Sequence, residues 1–140
     1  MLLALALVTS TCATAEQVVG VEQNGLALRL ESLKPDYRAG DRPGFRLHLA
    51  NTTDRPLTLE FRNAQRFDVT VRDASGREVW RWSAGQMFAQ VIGEVVLPPR
   101  GERTWTVTAP ASLPPGRYAA TAAVTATNAK IQATISVTVR

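Results

Sequence analysis

Hydrophobic and polar residues alternate with a period of two along most of the chain, and no stretch sustains the 3.6-residue spacing of an amphipathic helix. Leu26, Leu28 and Leu30 alternate with Ala27, Arg29 and Glu31; Phe45, Leu47 and Leu49 alternate with Arg46 and His48. Leu57, Leu59 and Phe61 enclose Thr58 and Glu60, and Phe67, Val69 and Val71 alternate with Asp68, Thr70 and Arg72. The two clearest runs come last: Tyr118, Ala120, Ala122 and Val124, then Ile131, Ala133, Ile135, Val137 and Val139. Successive side chains of a strand point to opposite faces, so each run predicts one buried and one wet face, as an antiparallel sandwich requires.

Turn-forming residues separate the runs. Pro43-Gly44 precedes the second strand, and 51–56 (Asn-Thr-Thr-Asp-Arg-Pro) breaks it from the next. Asp73-Ala74-Ser75-Gly76 predicts a hairpin turn in which Gly76 takes positive φ. Pro98-Pro99-Arg100-Gly101 and Pro114-Pro115-Gly116 mark two further corners, and Asn128-Ala129-Lys130 closes the terminal hairpin. Short strands with a turn every ten residues or so predict an all-β, Ig-like antiparallel β-sandwich of roughly seven to nine short strands. Pro115-Gly116-Arg117-Tyr118 fits a tyrosine corner, in which a hydroxyl at a strand start bonds back to the preceding loop. The 83–89 stretch is the least strand-like and reads as a loop or a single helical turn. Asn51-Thr52-Thr53 matches a glycosylation sequon, but the expectation is a turn whose Asn side chain bonds the local backbone.

Composition adds limits rather than a new picture. The 140 residues suffice for one domain, 45% of them hydrophobic and 20% charged. The net charge is +4, yet the cations are interleaved with acids, as in Arg29/Glu31, Asp41/Arg42 and Arg77/Glu78. That spacing predicts a solvated surface, not the basic stripe of a nucleic-acid binder. Leu2 to Val8 is far shorter than the ~20 residues of a membrane span. Followed by Ala13-Thr14-Ala15, it reads as a signal peptide over 1–15, leaving one domain over 16–140 and an exported, periplasmic or extracellular protein. The single cysteine, Cys12, gives the rival reading of a lipoprotein anchored through that residue.

Catalytic groupings are missing from the pattern. His48, the one histidine, alternates outward beside Arg46, which suits a surface position better than a general base. No His/Cys cluster offers a zinc site, and no calcium loop or phosphate-binding glycine loop occurs, so no metal, no cofactor and no enzymatic activity are expected.

The distinctive constellation runs from Phe67 to Phe88. Trp80 and Trp82, two apart, point to the same face of a strand and form either part of the core, joined by Trp105, or an aromatic binding face. The following Ser83, Ala84, Gly85, Gln86, Met87 and Phe88 make a candidate protein-contact loop, with the Lys34 to Arg42 loop as a second candidate.

These residues, together with Phe45–Asn51, Leu59-Glu60-Phe61, Gln65-Arg66-Phe67-Asp68-Val69, 73–83, Gln86-Met87-Phe88, Leu97, Pro98, Gly101-Glu102 and Pro115–Tyr118, resemble the intracellular proteinase inhibitor (BsuPI) family. The resemblance extends from about Phe45 to Val124. It implies an Ig-like sandwich that inhibits a subtilisin-like serine protease, and the mechanism expected of such an inhibitor is occlusion of the active-site cleft. The competing expectation is a non-inhibitory Ig-like module of the cell envelope that binds another protein.

Overall fold

The computed structural model describes residues 18–140. Ten strands are arranged in two four-stranded antiparallel sheets and a two-stranded ribbon. The first sheet has the order β1 (Val18–Gln23), β2 (Leu26–Ser32), β3 (Gly44–Asn51), β8 (Glu102–Thr108). The second has the order β10 (Gln132–Val139), β9 (Gly116–Val124), β5 (Phe67–Asp73), β6 (Glu78–Arg81). Strands β4 (Leu57–Phe61) and β7 (Gly93–Leu97) pair with each other as the ribbon. This is the Ig-like antiparallel sandwich that the alternation predicts, with ten strands among the described residues where seven to nine were expected. The leader segment over 1–15, with Cys12, lies outside the described residues.

Every apolar run that defined a strand supplies the core. Leu28, Leu30, Phe45, Leu47, Leu49, Val69, Val71, Ala120, Ala122, Ile135 and Val137 are buried in one cluster between the sheets. Their partners along each strand face outward, so the period of two is satisfied by burial on one face and solvation on the other. Arg29 and His48 are register neighbours on the outer side of the first sheet, as are Thr121 and Thr134 on the second.

The turns are built as their chemistry demands. Gly76 adopts φ +85°, and Asp73 Oδ1 accepts hydrogen bonds from the Ser75 amide and hydroxyl and from the Arg77 amide. Strand β1, which the alternation does not reveal, is joined to β2 by Asn24-Gly25 with both residues at positive φ (52° and 81°), a two-residue hairpin connection. Asn51 is 1% exposed. Its Nδ2 donates to the Arg55, Leu97 and Pro98 carbonyls, while Oδ1 accepts from the Thr53 amide and hydroxyl. The sequon asparagine is thus a buried turn post. Tyr118 donates its hydroxyl hydrogen bond to the Pro114 carbonyl, completing the tyrosine corner at the start of β9.

The Lys34–Arg42 connection crosses the end of the sandwich under tight constraint. Tyr37 is 1% exposed, and its hydroxyl donates to Gly44 O at 2.9 Å, accepts from Gly44 N at 3.1 Å and bonds Ser32 Oγ at 2.7 Å. Its backbone bridges the last strand: Tyr37 N donates to Thr138 O, and Arg140 N donates back to Tyr37 O.

Candidate functional site

Strands β6 and β8 are the outer strands of their sheets, and the tryptophans gather between them. Trp80 stands opposite Val71 in the β5–β6 register, just past a β-bulge that lets the strand turn its indole inward. Its ring stacks at 6.5 Å on Phe45 of the facing sheet. Strand β6 ends at Arg81, so Trp82 does not continue the alternation; it opens a 3₁₀ turn over Trp82–Gly85. Its ring nevertheless stacks on Phe67 at 4.3 Å with planes 17° apart, and Trp105 from β8 lies on Phe67 at 5.1 Å. The three indoles are half-buried and packed against the core. Each aromatic contact of this kind adds about 0.5–1.5 kcal/mol beyond the area it buries.

The candidate loop rises directly from this platform. Ser83 is clamped by Asp68 of β5: Ser83 Oγ donates to Oδ2 at 2.6 Å and Ser83 N to Oδ1 at 3.1 Å. The same carboxylate accepts from Arg81 Nη1 at 3.2 Å, and Arg81 also donates through Nε and Nη2 to Glu78. Glu78 first, then Asp68, holds the Arg81 guanidinium above its ordinary pKa, against a partial loss of solvent. Gln86 leaves the turn in extended conformation (φ −116°, ψ 152°) while its amide closes the turn onto Ser83 O.

Beyond Gln86 the side chains separate inward from outward. Phe88 turns back and packs on Trp82 at 5.6 Å. Met87, before it, is wholly exposed at 101% of its reference area, and Val91 and Ile92 follow at 65% and 83%. The Ala64 amide donates to Ala89 O at 2.9 Å and ties the segment's middle to the β4–β5 connection. At its far end Arg66 lies across Gly93, where an added Cβ would stand 2.9 Å from Nη2. The same guanidinium sits 4.5 Å from the centre of the Phe61 ring and donates to Asn63 O. From Trp82 to Gly93 no residue is charged.

Ser83 and Phe88, two of the six candidate contact residues, are therefore anchors; Ala84, Gly85, Gln86 and Met87 lie on the surface. Val91 and Ile92, which the sequence reading did not include, extend the exposed apolar run. Its one signal in the sequence was the charge-free stretch. In the second candidate loop, Tyr37 points inward and Lys34 pairs with Asp41 at 3.4 Å. His48 lies on the outer face of the first sheet, bonding Thr104 Oγ1 at 3.0 Å and facing Glu31 at 3.4 Å. Among the described residues no three His, Cys, Asp or Glu side chains converge as metal ligands, and no helix is long and apolar enough to cross a membrane.

Residues 30–129 match the family described as intracellular proteinase inhibitor, BsuPI. The chain belongs to this family. The match takes in β3 to β9, the aromatic platform and both candidate loops. It also corrects the expectation of export, both as a periplasmic or extracellular protein and as a lipoprotein held through Cys12, because the BsuPI family is described as intracellular. That expectation rested on the apolar run Leu2 to Val8 and the Ala13-Thr14-Ala15 pattern after it, with Cys12 giving the lipoprotein alternative. An envelope module loses its basis with it.

No curated protein matches the sequence. Among solved structures, the C-terminal domain of Wzt is similar at a TM-score of 0.56 and 12% identity, over 89% of this chain and 79% of that one. The sporulation control protein Spo0M from Bacillus subtilis is similar at 0.53 and 13% identity, over 84% of this chain and 50% of that one. At such identities the likeness is one of fold. A β-glucosidase from Listeria innocua aligns at 0.44 and 16% identity over 80% of the chain, which spans 16% of that enzyme.

Proposed function

We propose that this BsuPI-family chain inhibits a subtilisin-like serine protease by laying the 86–92 segment in the active-site cleft. The observation that carries the reading is a charge-free segment, extended where it leaves the turn at Gln86, whose aliphatic side chains Met87, Val91 and Ile92 face solvent while Ser83 and Phe88 hold it to the sandwich. A protease cleft receives its substrate as an extended chain and pairs with its backbone. A segment already anchored at Ser83, Phe88 and Ala89 loses less conformational freedom on docking than a free loop, which favours affinity. The anchors also oppose turnover. Were a peptide bond near Met87 cut, Ser83 would remain clamped by Asp68 and Phe88 would remain packed on Trp82. The two new ends would stay in the cleft.

The test is titration of the purified chain against subtilisin-like and trypsin-like proteases, with residual activity read on a small peptide substrate and chain integrity read on a gel. Saturable inhibition by an intact chain is expected for the subtilisin-like enzymes. Replacing Gln86, Met87 and 89–92 by Gly and Ser, with Phe88 kept, is expected to abolish it and leave the fold in place. A folded chain that inhibits no protease sinks the proposal and leaves a protein-binding role without inhibition. Unchanged potency in the replaced chain removes this segment from the contact.

A further inference from the structure

We infer that Met87 is the specificity anchor of the segment, the side chain that enters the protease's primary pocket, and that this pocket is deep and apolar rather than floored by an acid. The inference rests on the inhibitory reading of the 86–92 segment and deepens it.

Three observations single out this position. Met87 is the most exposed large apolar side chain among the described residues, at 101%, ahead of Ile92 at 83% and Val91 at 65%. It lies between fixed points: the Gln86 amide bonds back to Ser83 O, and Phe88 is seated on Trp82. Phe88 is half-buried on the platform while Met87 beside it is wholly exposed, so the two neighbours face different ways. Val91 and Ile92 lie beyond the Ala64–Ala89 hydrogen bond and are β-branched, so a narrow pocket admits them less readily. Methionine is unbranched and flexible, suited to filling a deep apolar slot of irregular shape.

The surrounding charge decides the pocket's chemistry. The nearest ionised groups along the chain are Arg81 on one side and Glu94 on the other, and Arg81 is already engaged by Glu78 and Asp68. From Trp82 to Gly93 no side chain is cationic, so Met87 and its neighbours along the segment bring none to neutralise a carboxylate at the base of a pocket. Burying such a carboxylate against a thioether would leave it unpaired, which is strongly unfavourable. An apolar slot exchanges water for a good fit with no such penalty.

Inhibition constants of Met87→Ala, Met87→Leu and Met87→Arg test this in the full chain, against one protease with an apolar primary pocket and one with an acidic pocket. Near-ultraviolet circular dichroism confirms that each variant keeps its tertiary structure. Met87→Ala is expected to weaken inhibition of the apolar-pocket enzyme by about 30-fold, the loss typical of truncating an interface anchor. Met87→Leu is expected to stay within about five-fold, since the two side chains have similar volume. Met87→Arg is expected to lose the apolar-pocket enzyme and acquire measurable inhibition of the acidic-pocket one. If Met87→Ala is as potent as the parent while the Gly-Ser replacement abolishes inhibition, the segment is the contact but Met87 is not its anchor. If neither change has an effect, the proposed contact falls along with the anchor. A parent that inhibits neither enzyme overturns both.

Discussion

The two loops that the sequence offered as contact sites are held in opposite ways. In the Lys34–Arg42 loop the large aromatic points inward and the charges point outward: Tyr37 is buried on Gly44 and Ser32, while Lys34 and Asp41 pair at the surface. Its backbone is engaged at Arg38, Asp41 and the C-terminal Arg140. In the Ser83–Ile92 segment the aromatics form a floor and the aliphatic side chains above it meet water. One loop uses its best apolar group to stabilise the sandwich; the other leaves its apolar groups unpartnered. Exposed aliphatics on an anchored segment suit recognition, because their burial against a partner is favourable and little ordering cost remains to offset it.

That contrast breaks first at the floor. Trp82→Ala removes the ring between Phe67 and Phe88, and a loss of about 3 kcal/mol is expected in urea denaturation. Inhibition should weaken even under conditions where the variant is fully folded. A variant that is destabilised but fully inhibitory would show that the platform supports the fold and not the segment.

Tyr37→Phe tests the other side of the comparison. It takes from Gly44 a buried hydroxyl partner for its N–H and C=O, and about 2 kcal/mol of stability is expected to go with it. Inhibition by the folded fraction should be unchanged. A parallel loss of potency would make the Lys34–Arg42 loop part of the contact after all.

A smaller effect is expected from Asp68→Asn, which keeps an acceptor for the Ser83 amide but gives up the charge that Ser83 Oγ and Arg81 share. About 1 kcal/mol should be lost. The sharper readout is limited proteolysis, with cleavage between residues 83 and 92 accelerated relative to the parent. An unchanged cleavage pattern would mean that Phe88 and Ala89 hold the segment without the clamp.

The least effect concerns pH, and here too the two loops differ. Partial desolvation opposes the ionisation of Glu31, at the end of β2, but hydrogen bonds from Arg46 and then His48 hold its carboxyl below the ordinary range. Asp41 is held low as well, chiefly by the Arg38 amide. For a carboxyl lowered in the folded state, the stabilisation is complete above its unfolded pKa and is lost as pH falls through the folded one. Stability should therefore decline on acidification below the ordinary carboxylate range. Glu31→Gln should flatten that decline by about 0.5 kcal/mol. The 82–93 segment carries no ionisable side chain, so over the same range the inhibition constant should follow the protease's own titration.

Much of this was legible before the fold. The period-two runs named the inward residues of β2, β3, β4, β5, β9 and β10, because a strand facing one core must alternate whatever it pairs with. Gly76 and Tyr118 also took up the positions their turn chemistry implied. Short β1 escaped notice since its residues are half-buried or exposed, although Asn24-Gly25 marked its hairpin.

The orientation of the 83–92 segment is a different matter. Nothing local distinguishes Met87 from Phe88, two large apolar neighbours. What separates them is Trp82 lying on Phe67, a residue on another strand, and Ala64 bonding Ala89 from across the fold. Alternation is dictated by the geometry of one strand and can be read along the chain. Which side of an irregular segment meets water depends on partners brought together only when the two sheets close.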